Sequence, residues 1–212
     1  MSPLVSAGCD QRPAPWGRVP DPPLIVAHRG AAGLWIENSL SAFERSLAAG
    51  YRAVEFDVHF TGDDVPVVIH DATVDRTTDG TGAVAEMDLA ELRRLRLAGT
   101  AGEPVPTLAE LLALLRPADV LAIVEVKFAA DGAAHARQCG ALAAALDRAG
   151  MRRRVTITAF DWRSIAEIAR QAPGFDLTGV LRASDIAGGA GVTAAARRLK
   201  AIGGMQLGLQ HT

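Results

Sequence analysis

Glu55 and Asp57 stand two residues apart in the run AVEFDVHF, and Glu125 and Lys127 two apart in VLAIVEVKF. Successive side chains of a strand point to opposite faces, so each pair shares a face. Buried carboxylates are costly unless they are paired, hydrogen-bonded or bound to a metal. A divalent cation would remove the repulsion among Glu55, Asp57 and Glu125, and an all-oxygen ligand set suits Mg²⁺ or Ca²⁺ better than zinc. Two further apolar runs end on polar residues: LIVAH carries His28 followed by Arg29, and PVVIH ends on His70. Arg29 can grip an anionic oxygen through two parallel bonds. Two imidazoles beside a bound anion can serve as general base and general acid. Lys127 adds a compact charge in a chain whose only other lysine is Lys200. Together these groups suit a phosphate ester held for in-line displacement.

The elements that must position them follow from hydrophobic period and end signals. Strands are expected at 24–28, 53–60, 66–70, 120–128, 154–160, 176–181 and 202–209, with helices at 38–49, 88–96, 107–116, 133–149, 162–172 and 192–200. Asn38 is expected to cap the first helix, Thr107 and Glu110 to form a capping box, and Asp161 to cap the helix after it. Alternating strands and helices imply a parallel sheet covered by helices. One connection differs. TGDDV (61–65) is too short for a parallel crossover, so 53–60 and 66–70 must form an antiparallel hairpin with His70 roughly opposite Asp57.

The chain has 212 residues and a formal net charge of −2, which gives no electrostatic reason to expect nucleic acid or an acidic membrane surface. Cys9 and Cys139 form no C-x-x-C pattern, so a disulfide framework or zinc–thiolate site is not expected and a reduced, cytoplasmic setting is. No apolar run reaches the roughly 20 residues that span a bilayer. Residues 1–23 lack the features of a secretory signal, and their prolines predict a loose N-terminal arm. GTGAVA (80–85) follows no apolar strand and so fails as a dinucleotide loop; GAAG (30–33) lacks the G-K-[ST] of a P-loop.

The motifs HRG (28–30), EN (37–38), EFD (55–57), HD (70–71), RTTDGTG (76–82) and EVK (125–127), in this order and spacing, resemble the glycerophosphodiester phosphodiesterases. The resemblance runs from residue 24 to about 209. It implies a TIM (β/α)8-type barrel and metal-dependent cleavage of glycerophosphodiesters to sn-glycerol 3-phosphate and an alcohol. It also implies roles: His28 and His70 as the acid–base pair, Glu55, Asp57 and Glu125 as metal ligands, and Arg29 and Lys127 as phosphate contacts. In that family a glycerol hydroxyl is thought to attack phosphorus first, giving a cyclic phosphate that water opens. His28 is assigned as base and His70 as acid, and the reverse assignment fits the same residues.

Against that family the sequence shows six barrel strands of eight. The expected domain at 24–212 is therefore a barrel truncated after strand 6, with a β-hairpin excursion after strand 2 and open edges that predict self-association. Two rival readings are a phospholipase-like diesterase acting on lipids and a non-catalytic barrel remnant. Among the remaining polar residues, Asp71 is expected to orient a neighbour, and Glu37 to face the ligand or favour a helix start. His59 is expected at the rim, His135 on a helix surface and His211 at a frayed end. Trp35 reads as loop packing, and Phe160 and Trp162 as core or pocket rim.

Overall fold

The computed structural model describes residues 24–127, 131–182 and 191–202, and the backbone of 206–209. The arm at 1–23 and His211 lie outside the described residues.

Six parallel strands run in the order β1 (Val26–Ala27), β2 (Ala53–Phe60), β4 (Leu121–Val126), β5 (Val155–Ala159), β6 (Asp176–Leu181) and β7 (Gln206–Leu209). β3 (Pro66–Val68) stands off this path, antiparallel to the end of β2. Alternation with helices α1 (Leu40–Ala48), α2 (Leu89–Leu92), α3 (Leu108–Leu115), α4 (Gly132–Arg148), α5 (Trp162–Gln171) and α6 (Gly191–Ala201) makes the parallel connections possible. Among the described residues, β1 and β7 each have a strand on one side only.

Strand parity sorts the side chains. Val54, Phe56 and Val58 of β2, Ala122, Val124 and Val126 of β4, and Val155, Ile157 and Ala159 of β5 are buried in one core with Leu111, Leu115, Leu142, Leu146, Ile165 and Ile168 of the helices. Phe43 of α1 meets Phe56 edge to face, with ring centroids 6.0 Å apart. The opposite parity carries the polar residues. Register sets Asp57 beside Glu125, Glu125 beside Thr158, and Thr158 beside Thr178 across four neighbouring strands. The two carboxylates are thus brought together by strand pairing itself.

The hairpin forms as expected, with Val58 opposite Val68. Its register corrects one detail: the Ile69 amide donates to the Asp57 carbonyl, so His70 stands one residue beyond Asp57. From there the connection 71–106 folds over its own small core of Val67, Ile69, Val74, Val84, Leu92, Leu97 and Val105. GTGAVA belongs to this connection, where Val84 is packed inside. The expected capping box Thr107–Glu110 is formed, and a second, Asp88–Glu91, opens α2.

Two expectations fail at the first turn. β1 is only two residues long, because His28-Arg29-Gly30 winds into a tight helical turn with Arg29, Gly30 and Ala31 all at positive φ. Asn38 does not cap α1. It too lies at positive φ, and Ser39 caps instead, its Oγ accepting from the Ala42 amide at 3.1 Å. Left-handed backbone at non-glycine residues costs about 1–2 kcal/mol each and is found where other contacts enforce it. Gly30, at φ +74°, faces the Cβ of Ala42 so closely that an added Cβ would stand 3.1 Å from it and 3.3 Å from the Phe43 ring. Gly30→Ala is therefore expected to lower unfolding free energy by at least about 1–2 kcal/mol in urea titrations. An unchanged midpoint and slope would show that the turn is not under this constraint.

Candidate active site

Glu55, Asp57 and Glu125 each place one carboxylate oxygen within 4.8 Å of the others. Asp57 is wholly buried and Glu55 nearly so. The positive-φ turn after β1 explains part of the arrangement: it aims the Arg29 amide at Glu55 Oε2, 2.9 Å away. Asn38, freed from capping by its own left-handed backbone, donates through Nδ2 to Asp57 Oδ2 at 2.9 Å. Arg29 Nε lies 3.5 Å from that oxygen. Lys127 Nζ stands 2.6 Å from Glu125 Oε1 and 3.5 Å from Asp57 Oδ1. Neither of those two buried oxygens receives a hydrogen bond of good geometry.

Burial first, and then the negative charge of Asp57, push the Glu55 carboxyl up to about 8. Three carboxylates facing two shared cations leave an acidic surplus in a place with little water. Buried orphan oxygens, an oxygen-only donor set and this surplus all fit a divalent cation.

The two histidines come from different elements, His28 from the turn after β1 and His70 from the hairpin arm. His28 Nε2 is 3.8 Å from Glu55 Oε2, while the ring is 65% exposed. Partial burial first, and then Arg29, hold this imidazole below its ordinary value, which favours the neutral, proton-accepting form. His70 is fixed at both ends. Its carbonyl meets His59 Nε2 at 3.1 Å, and its Nδ1 meets Asp71 Oδ1 at 2.6 Å. Arg76 holds the Asp71 carboxyl well below the usual range, so Asp71 accepts and His70 Nδ1 donates, leaving Nε2 for chemistry.

A chain of charges ties this arm to the first turn. Arg76 donates to Asp71 through Nε at 2.6 Å and to both oxygens of Glu37 at 2.7 and 2.8 Å. Glu37 Oε1 in turn accepts from Arg29 NH1 at 3.1 Å. Sequence reasoning missed Arg76, although it lies in the quoted RTTDGTG motif, and did not foresee that Glu37 bridges it to Arg29. His59 is a further correction. It is not a rim residue but a buried one, turned to hold the His70 carbonyl. His135, expected on a surface, is buried and sits 3.5 Å from Cys139 Sγ. Trp162 is buried with its Nε1 on the Val180 carbonyl, and Trp35 is half-buried.

The model of the Glycerophosphoryl diester phosphodiesterase family matches residues 28–210. The chain belongs to that family. A glycerophosphodiester phosphodiesterase of Caldanaerobacter subterraneus is 36% identical over 156 residues, covering 71% of this chain and 63% of the relative. Human glycerophosphodiester phosphodiesterase 1 is 40% identical over 95 residues, 42% of this chain and 29% of that protein. The chain thus spans less than two thirds of the length of these curated relatives. A phosphodiesterase-family structure from Agrobacterium tumefaciens superposes with a TM-score of 0.78 at 29% identity, covering 88% of this chain and 75% of that one. An Oleispira antarctica phosphodiesterase solved with the product sn-glycerol-3-phosphate superposes with a TM-score of 0.76 at 25% identity, over 88% and 74%. The fold is the TIM-type barrel of the family, and the described residues supply six of its parallel strands with a hairpin on the second.

The raised Glu55 value has a consequence for this family member when no cation is bound. The folded chain keeps a proton that the unfolded chain gives up in the ordinary carboxylate range. The stability it contributes is full below that range and is lost as pH rises toward about 8. His28 and His59, both held low, act in the opposite sense, but only below their ordinary 6.5. The melting temperature of the chelator-treated chain should therefore fall between pH 6.5 and 8, and Glu55→Gln should flatten that slope. A melting temperature that rises with pH across this window in the unsubstituted chain would contradict the assignment.

Proposed function

We propose that this chain hydrolyses glycerophosphodiesters to sn-glycerol 3-phosphate and an alcohol with His28 and His70 as base and acid. The observation that carries the reading is the gathering of Glu55, Asp57 and Glu125 with His28 at the carboxyl ends of β1, β2 and β4, and His70 on the hairpin arm that pairs with β2. That mouth is where barrels of this kind place their chemistry. Family membership and a relative solved with sn-glycerol-3-phosphate support the substrate class.

In this proposal Glu55, Asp57 and Glu125 would hold one Mg²⁺ or Ca²⁺, which when bound offsets negative charge on the phosphoryl oxygens. Arg29 and Lys127 border the same space and would bind the phosphate. Arg29 is oriented for this by Glu37, and Lys127 by Glu125. His28, held in its neutral form, takes the proton of the neighbouring glycerol hydroxyl as its oxygen bonds to phosphorus. The bond to the alcohol oxygen breaks, and His70 Nε2–H protonates that oxygen. The cyclic phosphate left behind is opened by water with the two roles exchanged: His70 accepts the water proton and His28 returns its own to the glycerol oxygen. Asp71 acts through His70, fixing its tautomer and stabilising the ring while charged.

Residues 24–212 form the catalytic domain in this reading, and the edges of β1 and β7, each with a strand on one side only among the described residues, are surfaces for self-association. Among the described residues no helix is long and apolar enough to cross a membrane. Together with the cysteine pattern, the small-molecule substrate class supports a cytoplasmic setting.

The test is release of glycerol 3-phosphate from a glycerophosphodiester by the full chain. His28→Ala and His70→Ala should each lower kcat about 10²–10⁴-fold. A chelator should abolish turnover, with Mg²⁺ or Ca²⁺ restoring it. Wild-type rates in either variant would remove the acid–base pair. Saturable cation binding without any hydrolysis would favour the non-catalytic reading.

A further inference from the structure

Arg76 stands outside the proposed reacting groups, yet it touches the anchors of two of them. Its guanidinium holds two carboxylates, each through a pair of hydrogen bonds. Nε and Nη2 donate to Asp71 Oδ2 and Oδ1 at 2.6 and 3.1 Å. Nη1 and Nη2 donate to Glu37 Oε2 and Oε1 at 2.7 and 2.8 Å. Nη2 is shared, and both oxygens it reaches are already in use. Asp71 Oδ1 also accepts from His70 Nδ1 at 2.6 Å, and Glu37 Oε1 from Arg29 Nη1 at 3.1 Å. One nitrogen thus bears on the anchor of the proposed acid and on the anchor of the proposed phosphate grip.

The arginine is itself held in place. Its backbone lies in a turn where the Thr77 and Thr78 amides and Thr78 Oγ1 all donate to the Val74 carbonyl. Val74 is buried in the small core of the connection. Hydrogen bonds from Arg76 are the first cause that holds both Glu37 and Asp71 below the ordinary carboxylate range. Without them the two carboxylates lose their shared cation and face each other as like charges. Only a planar fork can pair with two carboxylates in this way, and a lysine ammonium cannot. If these partly exposed pairs merely stitched two loops together, they would add little to stability, and their loss would affect every substrate alike.

We propose that Arg76 is a positioning residue for both halves of the reaction. Through Asp71 it keeps the His70 Nε2–H on the departing alcohol, and through Glu37 it keeps Arg29 on the phosphate. It touches no reacting atom. The proposal rests on the diesterase reading above and names a residue which that reading does not use.

The experiment compares kcat/KM of the cation-loaded full chain on two esters of glycerol phosphate, the ethyl and the p-nitrophenyl. Both react through the neighbouring hydroxyl, and kcat/KM does not include the later opening of the cyclic phosphate. Ethoxide needs a proton to leave and p-nitrophenolate does not, so the ratio of the two values reports the acid alone. Arg76→Met should lower the ethyl-to-nitrophenyl ratio about tenfold or more, a part of the roughly 10²–10⁴-fold that a general acid supplies. The nitrophenyl value should itself fall severalfold, through Arg29. Arg76→Lys should lie between Arg76→Met and the unsubstituted chain. In a His70→Ala background Arg76→Met should move the ratio no further, because both act through one proton. Loss of folded protein cancels in the ratio, and Arg76→Lys carries the test if Arg76→Met does not fold. An unchanged ratio, or a further shift in the His70→Ala background, would overturn the proposal while the diesterase activity stands. A nitrophenyl value left intact would overturn its Arg29 half. Hydrolysis of neither ester by the unsubstituted chain would overturn that activity and the proposal with it.

Discussion

Three carboxylates confined within 4.8 Å, one of them without solvent contact, repel one another wherever water cannot screen them. Much of the surrounding structure answers that repulsion. The turn after β1 adopts three successive left-handed residues, and in doing so turns the Arg29 amide onto Glu55. Asn38 leaves the helix cap to Ser39 and donates to Asp57. Lys127 lies along Glu125. Each contact offsets part of the charge, yet Glu55 is still pushed far above an ordinary carboxyl, because burial dominates. The remainder is negative charge that a divalent cation would offset.

The second constraint is orientation. His70 comes from a hairpin and a long connection, elements that tolerate movement more readily than a buried parallel strand does. It is fixed instead by polar links, with His59 on its carbonyl and Asp71 on its ring. The series Asp71–Arg76–Glu37–Arg29 then joins the hairpin arm to the β1 turn. Arg76 and Glu37 are partly exposed, so each pair alone is worth little. As a series spanning two loops, they tie the turn that carries His28 to the arm that carries His70.

The parts of this arrangement that strand period governs were legible in the sequence. A carboxylate two residues from another in AVEFDVHF must share its face, and the short link 61–65 could only be a hairpin. The capping box at Thr107 marked a helix start because both partners lie within one turn. Interactions that depend on backbone sign or on distant pairing were not legible. Asn38 and Ser39 are both good caps, and only the left-handed φ at Asn38 decides between them. Arg76 and Glu37 are 39 residues apart, and nothing local in either segment announces the other. His135 was misplaced because α4 is rich in alanine and glycine all round, so its sequence marks no clear buried face. His59 shared the parity of the site but was drawn down by the His70 carbonyl.

The central claim is that Glu55, Asp57 and Glu125 act together as one cation site. Calorimetric titration of the full chain with Mg²⁺, Ca²⁺ and Mn²⁺ measures it most directly. The account predicts one saturable site per chain for at least one of these ions, lost in Asp57→Asn while the circular dichroism spectrum is retained. No saturable binding in the unsubstituted chain, or binding that Asp57→Asn leaves untouched, would contradict it.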